Sequence, residues 1–165
     1  MTVSEAIRKM IERCDGNQYD INHFLKVWAY SKLIGELEGV SEDTLLTVQY
    51  AAIVHDIACP GLREQFDGRA PYEKQEMLGE PLAEAFYGDS IPAEMLERVK
   101  YLVAHHHTYT GNDGIDHQIL FEADFLTNAG EKEKHQKRAR DMAEHVFRTA
   151  AGMSLLKDIF TVEFE

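Results

Sequence analysis

AAIVHDIACPGLREQF, residues 51–66, sets an imidazole and a carboxylate, His55 and Asp56, among the small and branched apolar residues of a buried helix. Leu45, Val48, Ala52 and His55 recur on one face, and Tyr50, Ile53, Val54 and Ile57 make the other side apolar as well. A helix apolar nearly all round belongs at the centre of its fold. Cys59-Pro60-Gly61 is the expected stop, which puts the His-Asp pair in the last turn.

Upstream, Ser41 can cap this helix, with Asp43 and Thr44 as neighbouring candidates, and Glu42 suits the positive end of its dipole. Before it, YDINHFLKVWAYSKLIGELEG carries His23, Val27, Tyr30, Ile34 and Leu37 at helical spacing, and Gly39 supplies a left-handed stop. Residues 3–13 form a first helix ended by Asp15-Gly16-Asn17. Downstream, residues 62–71 read as a polar connection or short helix, Pro71 starts a helix disturbed at Pro81, and Pro92 opens another that runs to AHHH at 104–107. Ile119, Leu120, Ala123 and Leu126 mark a further helix, and the chain from Glu131 onward reads as one long charged helix. No stretch alternates long enough to require a strand, and no repeat or linker divides the chain. The expectation is an all-α fold, one compact bundle of six or seven helices over residues 1–165.

The 165 residues are 44% apolar and 28% charged, the balance of a globular protein. A net charge of -12 argues against nucleic acid and anionic membrane as partners, although a metal or a local cation cluster can still receive a small phosphorylated molecule. GNDG at 111–114 lacks the strand, helix and lysine of a phosphate loop, and KEKHQKRAR at 132–140 reads as a solvated helix face. The two cysteines, Cys14 and Cys59, cannot build a disulfide scaffold, and the N-terminus has neither a signal peptide's apolar run nor a membrane span. Cytoplasmic location is the resulting expectation.

His23, His55 and Asp124 each sit at the polar end of an otherwise apolar face. An uncompensated polar group there costs about 1 to 3 kcal/mol, more when charged. Buried hydrogen bonds would compensate, and so would a divalent cation bound by imidazole nitrogen and carboxylate oxygen. Two His and two Asp suit Fe, Mn, Zn, Co or Ni. Adjacent helical side chains point about 100° apart, so His55 and Asp56 converge on one ion only near a helix end.

His23, then His55-Asp56 in AAIVHDIA, then Asp124 in FEADFL, on an all-helical chain, resembles the HD superfamily of metal-dependent phosphohydrolases. The resemblance runs from about residue 20 to 130 and includes the EG before the central helix, the AHHH segment and the EAD segment. It implies one divalent transition metal ion held by His23, His55, Asp56 and Asp124, and attack of a metal-activated water on a nucleotide or related small phosphate ester.

Compact relatives place acidic residues just after the HD pair, which makes Glu64 the first and Asp67 the second candidate for orienting the water or moving its proton. Arg63, Lys26, Lys100, His105 and His106 are the candidates for holding the substrate phosphate or supporting the ligands. Lys26 stands where many relatives have arginine, which removes a planar fork. Binuclear relatives add a histidine in the helix before AHHH; Gln75 stands near that place here, which favours one metal. His107 is expected to lead the following loop, and His117, His135 and His145 to face solvent. Two other functions follow from the same resemblance: a nucleotide or metabolite-sensing module with a structural metal, and an iron-dependent oxygenase that would require a second ion. Phe147, Leu155, Leu156, Ile159 and Phe160 give the C-terminal helix an apolar side that packs on its own domain or on a second copy as a homodimer.

Overall fold

The computed structural model describes residues 1–108, 111–131 and 145–160. The expectations placed on KEKHQKRAR and His135 lie outside them. Among the described residues every regular element is helical: α1 (Val3–Arg13), α2 (Gln18–Glu38), α3 (Glu42–Val54), α4 (Cys59–Gln65), α5 (Tyr72–Tyr87), a 3-10 turn (Gly88–Ser90), α6 (Ala93–His105), α7 (Ile115–Glu131) and α8 (Ala150–Phe160). The fold is an all-α bundle.

Its axis is α3, buried at every position from Thr47 to Val54, as the all-round apolar pattern requires. The longest helix, α2, packs on α3 along one side and α7 along another, while α6 closes the bundle against α3 and carries α5 on its outside. Two glycines set these approaches: a Cβ on Gly35 would come within 2.7 Å of Leu45, and one on Gly79 within 2.7 Å of Val103. One apolar cluster runs from Ala6 and Met10 through Ile34, Ile53, Val99 and Leu120 to Phe147 and Leu156. By length and composition the stretch Glu42–Gln65 could cross a membrane, and 72% of its most apolar window is buried inside this bundle.

Local signals act where expected at Ser41, which caps α3, and at Gly39, which ends α2 with φ 65°; Asn17, expected only to interrupt the chain after the first helix, also caps α2 with its side chain. Two boundaries differ. Instead of ending the central helix, Cys59-Pro60-Gly61 opens α4, because proline fits the first turn of a helix, whose N–H groups need no intrahelical partner. Nor is the C-terminal region one helix from Glu131: the described part breaks at Phe147–Thr149 before α8.

That break is held by a buried carboxylate. Glu122 of α7, fully buried, accepts hydrogen bonds from Gln118 Nε2 at 2.7 Å, Arg148 N–H at 2.6 Å, Thr149 N–H at 2.9 Å and the Thr149 hydroxyl. It thereby places a negative charge at the positive end of α8.

Candidate metal centre

Three parts of the bundle meet at one point. His23 comes from the second turn of α2, Asp124 from α7, and His55 and Asp56 from the turn between α3 and α4. His55 is the C-cap of α3 and keeps helical backbone angles (φ -53°, ψ -41°), and Asp56 follows in the tight turns closed by Ile57 N–H to Val54 C=O and Cys59 N–H to Asp56 C=O, so the pair lies at a helix end, where adjacent side chains can reach one point.

The Nε2 atom of His23 lies 3.1 Å from His55 Nε2, 3.5 Å from Asp56 Oδ2 and 3.4 Å from Asp124 Oδ1. His55 Nε2 lies 3.8 Å and 3.6 Å from the same two carboxylates. His106 adds its Nε2, 3.2 Å from Asp56 Oδ1. Donor atoms of His23, His55 and Asp56 fall within 4.8 Å of one another, and so do those of Asp56, His106 and His107.

Hydrogen bonds on the far side of each ring decide what the near side offers. His55 Nδ1–H donates to Ala52 C=O at 2.8 Å, His106 Nδ1–H to Val103 C=O at 2.6 Å, and His23 Nδ1–H to the Glu131 carboxylate at 3.1 Å. In the neutral tautomers set by these bonds, each ring turns an unprotonated Nε2 inward.

Electrostatics supply the rest. Although burial would raise it, the Asp56 carboxyl is held well below the usual range by His55, His106 and His23. Asp124 is likewise held low against burial, by hydrogen bonds to His23 and His55. Burial pulls His23 down, yet hydrogen bonds to Asp124 and Glu131 and the charges of Asp124 and Asp56 offset it, so that His23 is pushed up to about 10. Two ionised carboxylates with imidazoles around them attract positive charge strongly enough to draw a proton onto His23. Imidazole nitrogen and carboxylate oxygen are the donors that a divalent transition metal takes, so the donor set fits such an ion.

A cavity of about 830 Å³ opens onto these residues. The residues that line it include His23, Asp56 and Asp124, the aromatics Tyr19, Phe24, Tyr72 and Phe125, and the cations Arg63 and Arg69. Arg63 pairs with Asp20 and lies over the Tyr19 ring. His107 also lines the cavity, with Nε2–H donating to Gln75 Oε1 at 2.8 Å, rather than merely leading a loop. Burial and the neighbouring His106 push His107 down to about 3, so it is neutral at pH 7.

Other sequence candidates lie elsewhere. Glu64 and Asp67 are exposed and do not line the cavity: α4 turns Arg63 inward and carries the next residue away, and Asp67 stands past its end with φ 49°. Lys100 is surrounded by Glu80, Glu84 and Glu97 on the α5–α6 side. Lys26 pairs with Glu131 at 3.0 Å. His105 stacks on Tyr101, 4.2 Å between ring centres, and donates to the Tyr101 carbonyl. His117 is buried rather than facing solvent, because Asp113 N–H and the His105 carbonyl occupy its two ring nitrogens, whereas His145 is exposed.

Sequence reading passed over Glu131, although the signal was present: Asp124, Asn128 and Glu131 follow an i, i+4, i+7 stripe on α7. Asn128 donates to Asp124 Oδ1 at 2.8 Å, so the whole stripe serves the centre.

Residues 20–129 match the HD domain family. The chain belongs to that family. The match starts three residues before His23 and ends five after Asp124, so it contains all four candidate ligands of the HD domain. No curated protein and no solved structure matches the chain. Membership together with the two donor clusters makes this HD domain a metal-dependent phosphohydrolase with a divalent transition metal as cofactor.

Proposed function

We propose that the substrate is a small phosphate ester with an aromatic part, a nucleotide being the nearest fit, and that His23, His55, Asp56 and Asp124 hold one metal ion. The observation that carries this reading is the cavity, which is lined together by residues of the donor cluster, by Arg63 and Arg69 and by the exposed Tyr19 and Tyr72. A volume of about 830 Å³ is in the range of sites for such ligands.

When bound, a divalent ion supplies Lewis acidity toward a phosphoryl oxygen and lowers the pKa of water. The chain's own residues do the placing. Arg69 has no side-chain partner among the described residues and is the cation best free to meet phosphate oxygens with a planar fork; Arg63 stands beside it, already neutralised by Asp20. Tyr72, 63% exposed and with His107 on one side at 4.1 Å between ring centres, offers its other face for a planar base to stack on, and Tyr19, 50% exposed, carries Arg63 over its ring. Asn128 fixes the Asp124 carboxylate.

One observation favours a second reading, a sensing module with little turnover. Among the described residues the carboxylates that line the cavity are Asp20, Asp56 and Asp124, and each is already committed to Arg63 or to the donor cluster. Neither Glu64 nor Asp67 is there to move a proton. Phosphate release from nucleoside mono-, di- and triphosphates, measured with and without added Mn(II), tests the proposal beside thermal-shift binding of the same panel. Metal-dependent release supports hydrolysis; saturable stabilisation without release makes the protein a sensor.

A further inference from the structure

We infer that Glu131 is the positioning residue of the metal centre and that Lys26 serves Glu131 rather than the substrate; the inference rests on His23 being a metal ligand. Glu131 Oε2 accepts from His23 Nδ1–H at 3.1 Å, and its Oε1 accepts from Lys26 Nζ at 3.0 Å. Its side chain is 9% exposed although it closes α7, two turns beyond Asp124.

The three inward-facing imidazoles are not held alike. His55 and His106 are fixed by carbonyls three residues back in their own helices, Ala52 and Val103, which the backbone supplies whatever the side chains are. His23 reaches instead across to another helix. Its ring orientation and tautomer therefore depend on one carboxylate, and that carboxylate raises the basicity of the inward Nε2. Lys26, one turn after His23 on α2, holds the second oxygen and so keeps the carboxylate from rotating away. With its ammonium bound there, and its side chain outside the cavity lining, Lys26 is not placed to meet a phosphate. Glu131 lies two residues beyond the end of the family match, so this chain brings the group to the centre by the length of its own α7.

The test is competitive titration of metal-free protein with Zn(II) against a chelator of known affinity. Loss of a carboxylate behind a metal-bound histidine weakens binding by about 10- to 100-fold, which is the expected result for Glu131→Ala. Glu131→Gln keeps an acceptor and restores part of the affinity, and it carries the test if the alanine variant does not fold. Lys26→Ala weakens Zn(II) binding by a smaller factor and leaves KM unchanged for whichever phosphate ester the wild type hydrolyses. Zn(II) binding by both Glu131 variants within about twofold of wild type overturns the role of Glu131. A raised KM in Lys26→Ala with unchanged Zn(II) affinity overturns the role of Lys26. Absence of Zn(II) binding by the wild type itself overturns the underlying metal reading, and with it both roles.

Discussion

The Nε2 atoms of His23 and His55 face each other at 3.1 Å while Nδ1 of each ring is bound elsewhere, to Glu131 and to the Ala52 carbonyl. The proton drawn onto His23 lies between these two nitrogens and the ionised carboxylates of Asp56 and Asp124, in the place where a cation would answer all four groups at once. His55→Ala or Asp56→Ala is expected to reduce the metal content of purified protein from about one ion per chain to below about a tenth, with hydrolysis lost in parallel. Elemental analysis beside circular dichroism checks this, and full activity in a metal-free, folded variant would exclude the metal mechanism.

Arg69 reaches the cavity with no side-chain partner among the described residues. A charge-assisted hydrogen bond contributes about 1.5 to 3 kcal/mol, so Arg69→Ala is expected to raise KM for a phosphate ester about 10- to 100-fold. Metal content stays at the wild-type level. Steady-state kinetics on protein of measured metal content separates the two quantities.

Lys100 makes the opposite case. Its three glutamate partners lie on the α5–α6 side, away from the cavity lining. Lys100→Ala is expected to leave kcat, KM and metal content unchanged. A rise in KM comparable to that of Arg69→Ala would place its ammonium in the substrate path.

His117 provides a pH dependence. Burial holds it below its ordinary 6.5, and the Arg98 charge adds to this while the His105 carbonyl opposes it. A second proton would displace the Asp113 N–H from Nδ1. As pH falls, the unfolded chain takes up a proton at His117 before the folded chain does. Stability from this group is therefore complete above pH 6.5 and declines below it. Urea unfolding of metal-free protein from about pH 7.5 to 5 is expected to show a steeper loss in wild type than in His117→Gln.

Glu122 receives four hydrogen bonds in a fully buried position. Glu122→Ala orphans several donors at once, and a destabilisation of at least about 3 kcal/mol is expected. Gly152→Ala sets a Cβ against the same carboxylate and 2.8 Å from Thr149 Oγ1, with an expected cost of about 1 to 3 kcal/mol. Denaturant midpoints of metal-free protein measure both.

Features of the fold governed by neighbouring residues were legible in the sequence: the cap at Ser41, the left-handed Gly39, the apolar girth of α3. So was the order of His23, His55-Asp56 and Asp124, because the family's spacing is itself a pattern along the chain. Features that depend on distant partners were not. Glu64 stands one residue from Arg63, but that step on α4 turns it from the cavity to solvent. His117 looked polar and external because its two partners, Asp113 N–H and the His105 carbonyl, are backbone groups that no composition reveals. Pro60 read as a terminator, since the same residue type ends one helix and begins the next.

Asp124 and Glu122 sit two residues apart on α7, one in the metal centre and the other buried under the start of α8. The family match stops at residue 129, yet trimming the gene there would strip Glu122 of the donors from Arg148 and Thr149 and take Val146, Phe147 and Leu156 out of the apolar cluster, leaving its remaining members open to water. It would also remove Glu131. Expression boundaries for this protein therefore belong after Phe160, and a minimal version drawn from the family limits alone is expected to be recovered as inclusion bodies rather than as a smaller working enzyme.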